Sequence, residues 1–488
     1  MTELQLSEVN PMKSVSGAEF PRGLQEFVFS IGRPSAWIPS KSYFVIDMTL
    51  TASGGVPVYN TDQIAFADSC ASNLYSNVYF RCGGQDVSSI VSYVPQAAAA
   101  KNRLNKTGAW LNTIGKSAYM LDADFAERSK LVSTSITTAG STYIEAGPAA
   151  ATVAIATATG VVTGADGANF ANVLVGDTLT VNGKPYTVTA LTSATEVTVA
   201  PPPAANVVAT TNFTFTRQGE VKTVDGKNRV QVIWQPPIGI FDHTKPMGSG
   251  DYRFSLNPNS DYQKSAVEAV ADKTIGAGAG QFDLTINSVK FYAATIKMEI
   301  PSQVDNLYLM ECLVQAKTAV ANTNSLQFTV PSSTRALSVF FQSDQAGQNT
   351  RFPPSKFTTT GSEEQNMTSL QITYANTTKP NTRWDSALSS TTNQNRLQQR
   401  YVDTLRECNL IDNVGGAETL DDFIKRGGIY HYSFTRDASD RSTQVQLSTT
   451  FNGTGISASK VFLVAYYSRV TEVTTQDGLI VSVRSLEA

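Results

Sequence analysis

Leu121-Asp122-Ala123-Asp124-Phe125 and Leu420-Asp421-Asp422-Phe423 are nearly the same short motif, 298 positions apart at the Phe. Working outward, the surroundings repeat as well. Leu24-Gln25-Glu26-Phe27 opens an apolar-alternating stretch, and so does Leu326-Gln327-Phe328. The next such stretch is centred on Phe44 in the first half and Phe340 in the second, an offset of 296. Residues 74–80 and 370–374 keep that offset at their leading Leu. A helical pattern then follows in each half, at 96–105 and at 395–408. Beyond the Leu-Asp motif the register drops: Val232 matches 429–432, and Lys290-Phe291-Tyr292 matches Lys460-Val461-Phe462 at an offset of 170. Extra sequence between 129 and 228, and again around 261–280, accounts for the drops. The last pair of stretches, 306–314 and 477–483, closes both halves. This order of elements predicts a duplicated domain: an N-terminal segment 1–20, a first copy over 21–320 and a second over 321–488.

The repeated unit reads as β. Its segments are short, rich in Val, Ile, Phe, Tyr and Thr, and bounded by Gly, Pro, Asn and Ser. Gln444-Val445-Gln446-Leu447-Ser448 alternates, as expected of an antiparallel strand with one wet face. Residues 461–467 are apolar throughout and predict a strand buried on both faces. Helices are few. Pro95 suits the first turn of one at 96–105. Leu397, Tyr401, Leu405 and Cys408 form one apolar face of another, and short turns are expected at 121–129 and 419–426.

Residues 131–216 have a different texture, with only Glu145, Asp166, Asp177, Lys184 and Glu196 charged. The Asn182-Gly183 pair between 178–181 and 186–191 is a strong hairpin signal. A further strand at 195–199 ends at Pro201-Pro202-Pro203. This stretch predicts a small β-module inserted in a loop of the first copy, where loop closure cost rises only slowly with length.

Composition narrows function. The chain has 488 residues, is 41% hydrophobic and only 16% charged, and its 38 Lys plus Arg against 41 Asp plus Glu give a net charge of −3. That argues against wholesale nucleic-acid binding, which needs a strong positive excess. Residues 1–30 lack the apolar core of a secretory signal. Cys70, Cys82, Cys312 and Cys408 show neither zinc-ligand spacing nor a disulfide framework, which points to a reducing compartment. Gly115-Lys116-Ser117 lacks the earlier phosphate-loop glycine, since Trp110 stands there, and the glycines at 276–280 do not follow a dinucleotide-binding pattern. Asp166-Gly167 lacks the other ligands of a calcium loop. His243 lies in a polar loop and His431 in a strand, neither near a nucleophile in sequence. Asp122, Asp124, Asp421 and Asp422 recur in both copies, which suits a short structural helix better than a single catalytic cleft. No catalytic, cofactor-binding or metal-ligating residue is nominated, and no cofactor is expected.

The strand order, the duplicated Leu-Asp motif, the run Trp234-Gln235-Pro236-Pro237-Ile238-Gly239 leading to Phe241, and the closing strands at 461–483 together resemble the double jelly-roll major capsid proteins. These form the icosahedral shells of double-stranded DNA viruses of the adenovirus, tailless-phage and virophage type. The resemblance covers nearly all of 20–488 outside the insert. It implies an all-β fold: two tandem eight-stranded antiparallel jelly rolls with a few short helices and the inserted β-module. It also implies a non-enzymatic subunit that forms a homotrimer of hexagonal outline. That trimer would pack against neighbouring capsomers, penton and minor capsid proteins, without sequence-specific nucleic acid. The implied location is the virion, after synthesis in the host cytoplasm, with the insert as an outward tower available to a host receptor. Two other readings stand beside it. One is a virion or cell-surface attachment protein built of β-sandwiches. The other is a carbohydrate-active enzyme using Asp122, Asp124, Asp421 or Asp422.

Overall fold

The computed structural model describes residues 4–486, apart from 14–15, 53–63, 120–135, 139–140, 145, 219–221, 225–226, 270–272, 277–280, 299, 320–322, 358–366, 382–389, 409–418, 421–422, 424–426, 435–440 and 452–458. Eight strands frame a first unit, β1 (Leu4–Val9), β2 (Gln25–Ile31), β3 (Tyr43–Ala52), β4 (Tyr75–Cys82), β5 (Gln85–Ile90), β6 (Lys227–Trp234), β7 (Gly250–Pro258) and β8 (Gln281–Lys297), with short accessory strands at Ser35–Trp37, Ile64–Phe66, Lys222–Val224, Val267–Ala269 and Thr274–Ile275. Eight more build a second: β9 (Gln303–Ala319), β10 (Thr323–Thr329), β11 (Thr334–Ser343), β12 (Met367–Tyr374), β13 (Thr377–Lys379), β14 (Tyr430–Ser433), β15 (Gln444–Phe451) and β16 (Ser459–Gln476). A final strand, β17 (Leu479–Leu486), pairs with β16.

The hydrogen-bonded order is the same in both units. One sheet joins the first, eighth, third and sixth strands, β1-β8-β3-β6 and β9-β16-β11-β14. The other joins the second, seventh, fourth and fifth, β2-β7-β4-β5 and β10-β15-β12-β13. Two four-stranded antiparallel sheets wound in this order are a jelly roll, so the chain has the double jelly-roll fold. Alternation drives each sheet: in β2, Phe27, Phe29 and Ile31 turn inward, and in β15, Val445, Leu447, Thr449 and Phe451 do so. The inward aromatics of the first roll lock its sheets together. Phe44 meets Phe27 edge-on at 5.2 Å and Phe254 edge-on at 5.4 Å, while Trp37 sits 4.9 Å from Tyr252. Each such pair adds about 0.5–1.5 kcal/mol beyond its buried area.

The pairing corrects three expectations from the sequence. Residues 4–9 are not part of a separate leading segment but the first strand of roll one, hydrogen-bonded to β8. Residues 306–314 do not close the first copy. They lie in β9, which pairs along its whole length with β16 and opens roll two, so the division falls between Lys297 and Gln303 instead of at 320. Residues 477–483 match no strand of roll one, because β17 is an addition to roll two. The pairing of β9 with β16 spans 17 positions and joins segments far apart in the chain, which leaves no local trace in the sequence. The Leu-Asp motif at 121–125 lies outside the described residues, as do Asp421 and Asp422. Phe423 is buried in the second core, between Tyr401 and Tyr430. The two expected helices are present as α1 (Val94–Asn105), with Pro95 in its first turn, and α2 (Ser390–Glu407), each following the fifth strand of its roll.

The insert is a nine-stranded antiparallel sheet between α1 and β6. Thr178–Val181 and Lys184–Ser193 form the expected hairpin, and Asn182 and Gly183 take φ of 49° and 78°, as a two-residue turn of this hand requires. Its core, centred on Phe170, Leu179, Val197 and Phe215, shares no residue with the cores of the rolls. A fragment spanning 141–218 should therefore unfold on its own in one cooperative thermal transition followed by circular dichroism; a featureless melt would show that it borrows its stability from roll one.

Candidate functional site: the seam between the jelly rolls

The run 461–467 shows how the rolls are joined. In β16, Val461, Leu463 and Ala465 point into roll two's own core, while Phe462, Val464 and Tyr466 point the other way and merge with the core of roll one. In β11, Leu337, Val339 and Phe341 face inward and Phe340 outward. Both faces of this sheet are thus covered, which is why its central strands lack polar alternation. Phe340 stacks on Phe462 (5.5 Å, 5°) and on Phe357 (4.0 Å, 15°), and Tyr93 at the start of α1 meets Phe462 edge-on at 5.3 Å. β9 adds Leu307, Leu309, Cys312 and Val314 to the same merged core.

Polar contacts fix the register of the seam. Gln96 donates to Gln342 (3.2 Å), whose own amide donates to the Pro354 carbonyl (2.6 Å). Arg469 donates to the Asp86 carbonyl and Arg103 to the Gly427 carbonyl, each at 2.6 Å. Lys356 pairs with the buried Glu268 at 2.8 Å. β17 continues the seam, its Ile480 N–H donating to the Ser249 carbonyl.

At the centre lies Glu311, fully buried on β9. Its carboxylate accepts the Ser88 hydroxyl of β5 and, at 3.4 Å, the Gly239 N–H. Burial pushes its pKa up to about 7, against the opposing pull of those hydrogen bonds and of Lys101 and Arg469. Gly239 belongs to the run that follows Trp234. A Cβ there would lie 2.8 Å from both the Met310 carbonyl and the Glu311 carboxylate, so glycine is what permits the close approach. Sequence reading passed over Glu311. The alternation Leu307, Leu309, Glu311 was its only signal, because it placed a carboxylate on an inward face.

The residues weighed for chemistry are dispersed. His431 lies opposite Ser338, its Nδ1 2.8 Å from the hydroxyl, and burial pushes its pKa down to about 4, so the ring is neutral at neutral pH. Ser338 is fully buried and also reaches the Tyr466 hydroxyl, at 3.3 Å, which suits a packing role in the seam. His243 lines a cleft of about 340 Å³ with Asp305, Lys245, Tyr308 and Met310, and burial lowers its pKa too. Asp122, Asp124, Asp421 and Asp422 lie outside the described residues. Among the described residues no three His, Cys, Asp or Glu side chains gather as a metal site would require.

Two measurements test the seam. Phe462→Ala should lower the unfolding free energy by about 3–5 kcal/mol in urea titration, as expected for a large aromatic removed from a core. Glu311 sets a pH dependence. Its folded pKa is raised, so between about 4.5 and 7 the folded chain holds a proton that the unfolded chain releases. The stabilisation is complete below 4.5 and lost as pH rises through 7, an effect on the order of 3 kcal/mol. Glu311→Gln should flatten that decline between pH 5 and 8; an unchanged slope would mean another group produces it.

No protein-family model matches the sequence. No curated protein matches it either. Solved structures do. A chain in the cryo-electron microscopy structure of the Sputnik virophage is 13% identical, with a TM-score of 0.52, and the match covers 99% of this chain and 88% of that one. The mavirus major capsid protein is 11% identical, with a TM-score of 0.47, over 99% of this chain and 90% of that one. The Faustovirus major capsid protein is 9% identical, also with a TM-score of 0.47, over 96% and 90%.

Proposed function

We propose that this chain is a major capsid protein, a structural subunit that trimerises into capsomers of hexagonal outline and tiles an icosahedral shell. The observation that carries the proposal is the identical strand order of the two rolls, joined side by side through a merged apolar core. Two similar units per chain, repeated about a three-fold axis, give six similar wedges, and closed rotational symmetry is the usual way for identical chains to satisfy one another's surfaces. The end-to-end likeness to a chain of the Sputnik virophage structure supports the same reading.

In this reading the subunit is not an enzyme, takes no cofactor and resides in the virion after synthesis in the host cytoplasm. Its partners are further copies of itself, then neighbouring capsomers, penton and minor capsid proteins. The inserted module, on the loop between the fifth and sixth strands of roll one, is the outward tower and the part available to a host receptor.

Sedimentation velocity of the purified chain tests the proposal. The expected species has three times the 52.4 kDa chain mass. A monomer at every concentration, in buffers that leave the fold intact, would overturn it.

A further inference from the structure

The cleft beside the seam is built by both rolls. Residues 242–248, between β6 and β7, form one wall, and β9 forms the other together with Val473 of β16. Met247, Ile300, Leu307, Leu309 and Val473 make the floor, each no more than 8% exposed. Strand alternation sets this arrangement. Leu307 and Leu309 turn inward along β9, which leaves Tyr308 72% and Met310 46% exposed at the rim. A volume of about 340 Å³ lies at the lower end of the range for small-molecule sites, about 300–1,000 Å³, and such sites favour the junction of two domains.

The charges around the cleft divide into two kinds. Asp242 is neutralised by Lys101 at 2.5 Å, as Lys356 is by Glu268 elsewhere on the seam. Lys245, on the wall from roll one, and Asp305, on the wall from roll two, form no ion pair with each other or with any other described residue. Asp305 accepts from the Gln303 amide at 2.5 Å and keeps its charge. His243 feels both: Lys245 disfavours and Asp305 favours its charged form, and burial, the largest effect, holds its pKa below the ordinary value. The ring is therefore neutral at neutral pH and offers a hydrogen bond without adding charge. A cation on one wall and an anion on the other, above an apolar floor, are complementary to a small molecule that carries both signs of charge and an apolar group.

We propose that this cleft binds a small zwitterion with an apolar side group, an α-amino acid of the leucine or phenylalanine kind. Its carboxylate pairs with Lys245 and accepts from the His243 ring. Its ammonium pairs with Asp305, and Tyr308 supplies an aromatic face to the same charge. The side group lies on the aliphatic floor, where burial of its surface supplies most of the affinity. A peptide segment fits less well, because it carries its two backbone charges only at separate ends. Since the two charged contacts come from different rolls, the ligand bridges the seam and stabilises the mutual orientation of the rolls. This site is independent of the capsomer reading.

Isothermal titration of the full chain with L-phenylalanine tests the site, with one molecule expected per chain. Phenethylamine, 3-phenylpropionate and L-serine each lack one of the three recognised groups. Each should bind at least roughly tenfold more weakly, the loss expected when a polar partner is left unmatched or an apolar contact is missing. Lys245 is exposed and Asp305 half-buried, so Lys245→Gln and Asp305→Asn should keep the thermal midpoint of the unliganded chain. Lys245→Gln should prefer phenethylamine to 3-phenylpropionate, and Asp305→Asn the reverse. Saturating L-phenylalanine should raise the midpoint of the unaltered chain by mass action, and raise that of either variant less. Absence of saturable binding at millimolar concentration would overturn the proposal. So would equal affinity for L-phenylalanine in the unaltered chain and both variants, or analogues that bind as tightly as the amino acid. None of these results bears on the capsomer reading.

Discussion

Two-sided burial of the sheet β9-β16-β11-β14 is the constraint on which the rest of the molecule depends. An ordinary jelly roll covers only the inner faces of its sheets and leaves the outer ones wet. Here the outer face of roll two's sheet carries Phe340, Phe462, Val464 and Tyr466, which have no place in water and are buried against roll one. That commits the two rolls to lie side by side with a fixed mutual orientation. Glu311, Ser88 and Gly239 then set the register, because a buried carboxylate tolerates few positions that satisfy it.

The same sheet in roll one keeps the strand order but differs on its outer face. The stacked aromatic pair persists in both rolls, yet one is Phe on Phe and the other Tyr on Tyr. The inner faces kept their apolar alternation because each roll must still close on itself. The outer faces differ, since one is sealed during folding and the other is left uncovered. A permanently sealed face can be wholly apolar, whereas one that meets solvent needs hydroxyls and paired charges to stay soluble.

Much of this was legible in the sequence. The repeated order of elements was legible, but its offset of 296 was one residue out of register: the strand pairing sets Tyr43 against Phe340, so the inward Phe44 corresponds to the inward Phe341 and not to Phe340. Residues 461–467 announced two-sided burial through their lack of alternation. The insert declared itself by its sparse charge and its Asn-Gly turn. Other features were not legible. β1 went unrecognised because Leu-Gln-Leu-Ser-Glu-Val looks like any short terminal strand until its hydrogen bonds to β8 are known. The placement of β9 was missed because strand pairing between residues some 150 apart leaves no local trace. Glu311 leaves only a faint trace in the sequence, the alternation Leu307, Leu309, Glu311, since only the fold tells which carboxylates are enclosed.

The central claim is that one chain supplies two of six like wedges. Electron-microscopic class averages of the purified assembly test it most directly. The account predicts particles of hexagonal outline whose rotational power is strong at six-fold and resolves to three-fold once the insert, present on only one roll of each chain, is seen in projection. Averages with two-fold symmetry, or with none, would contradict it.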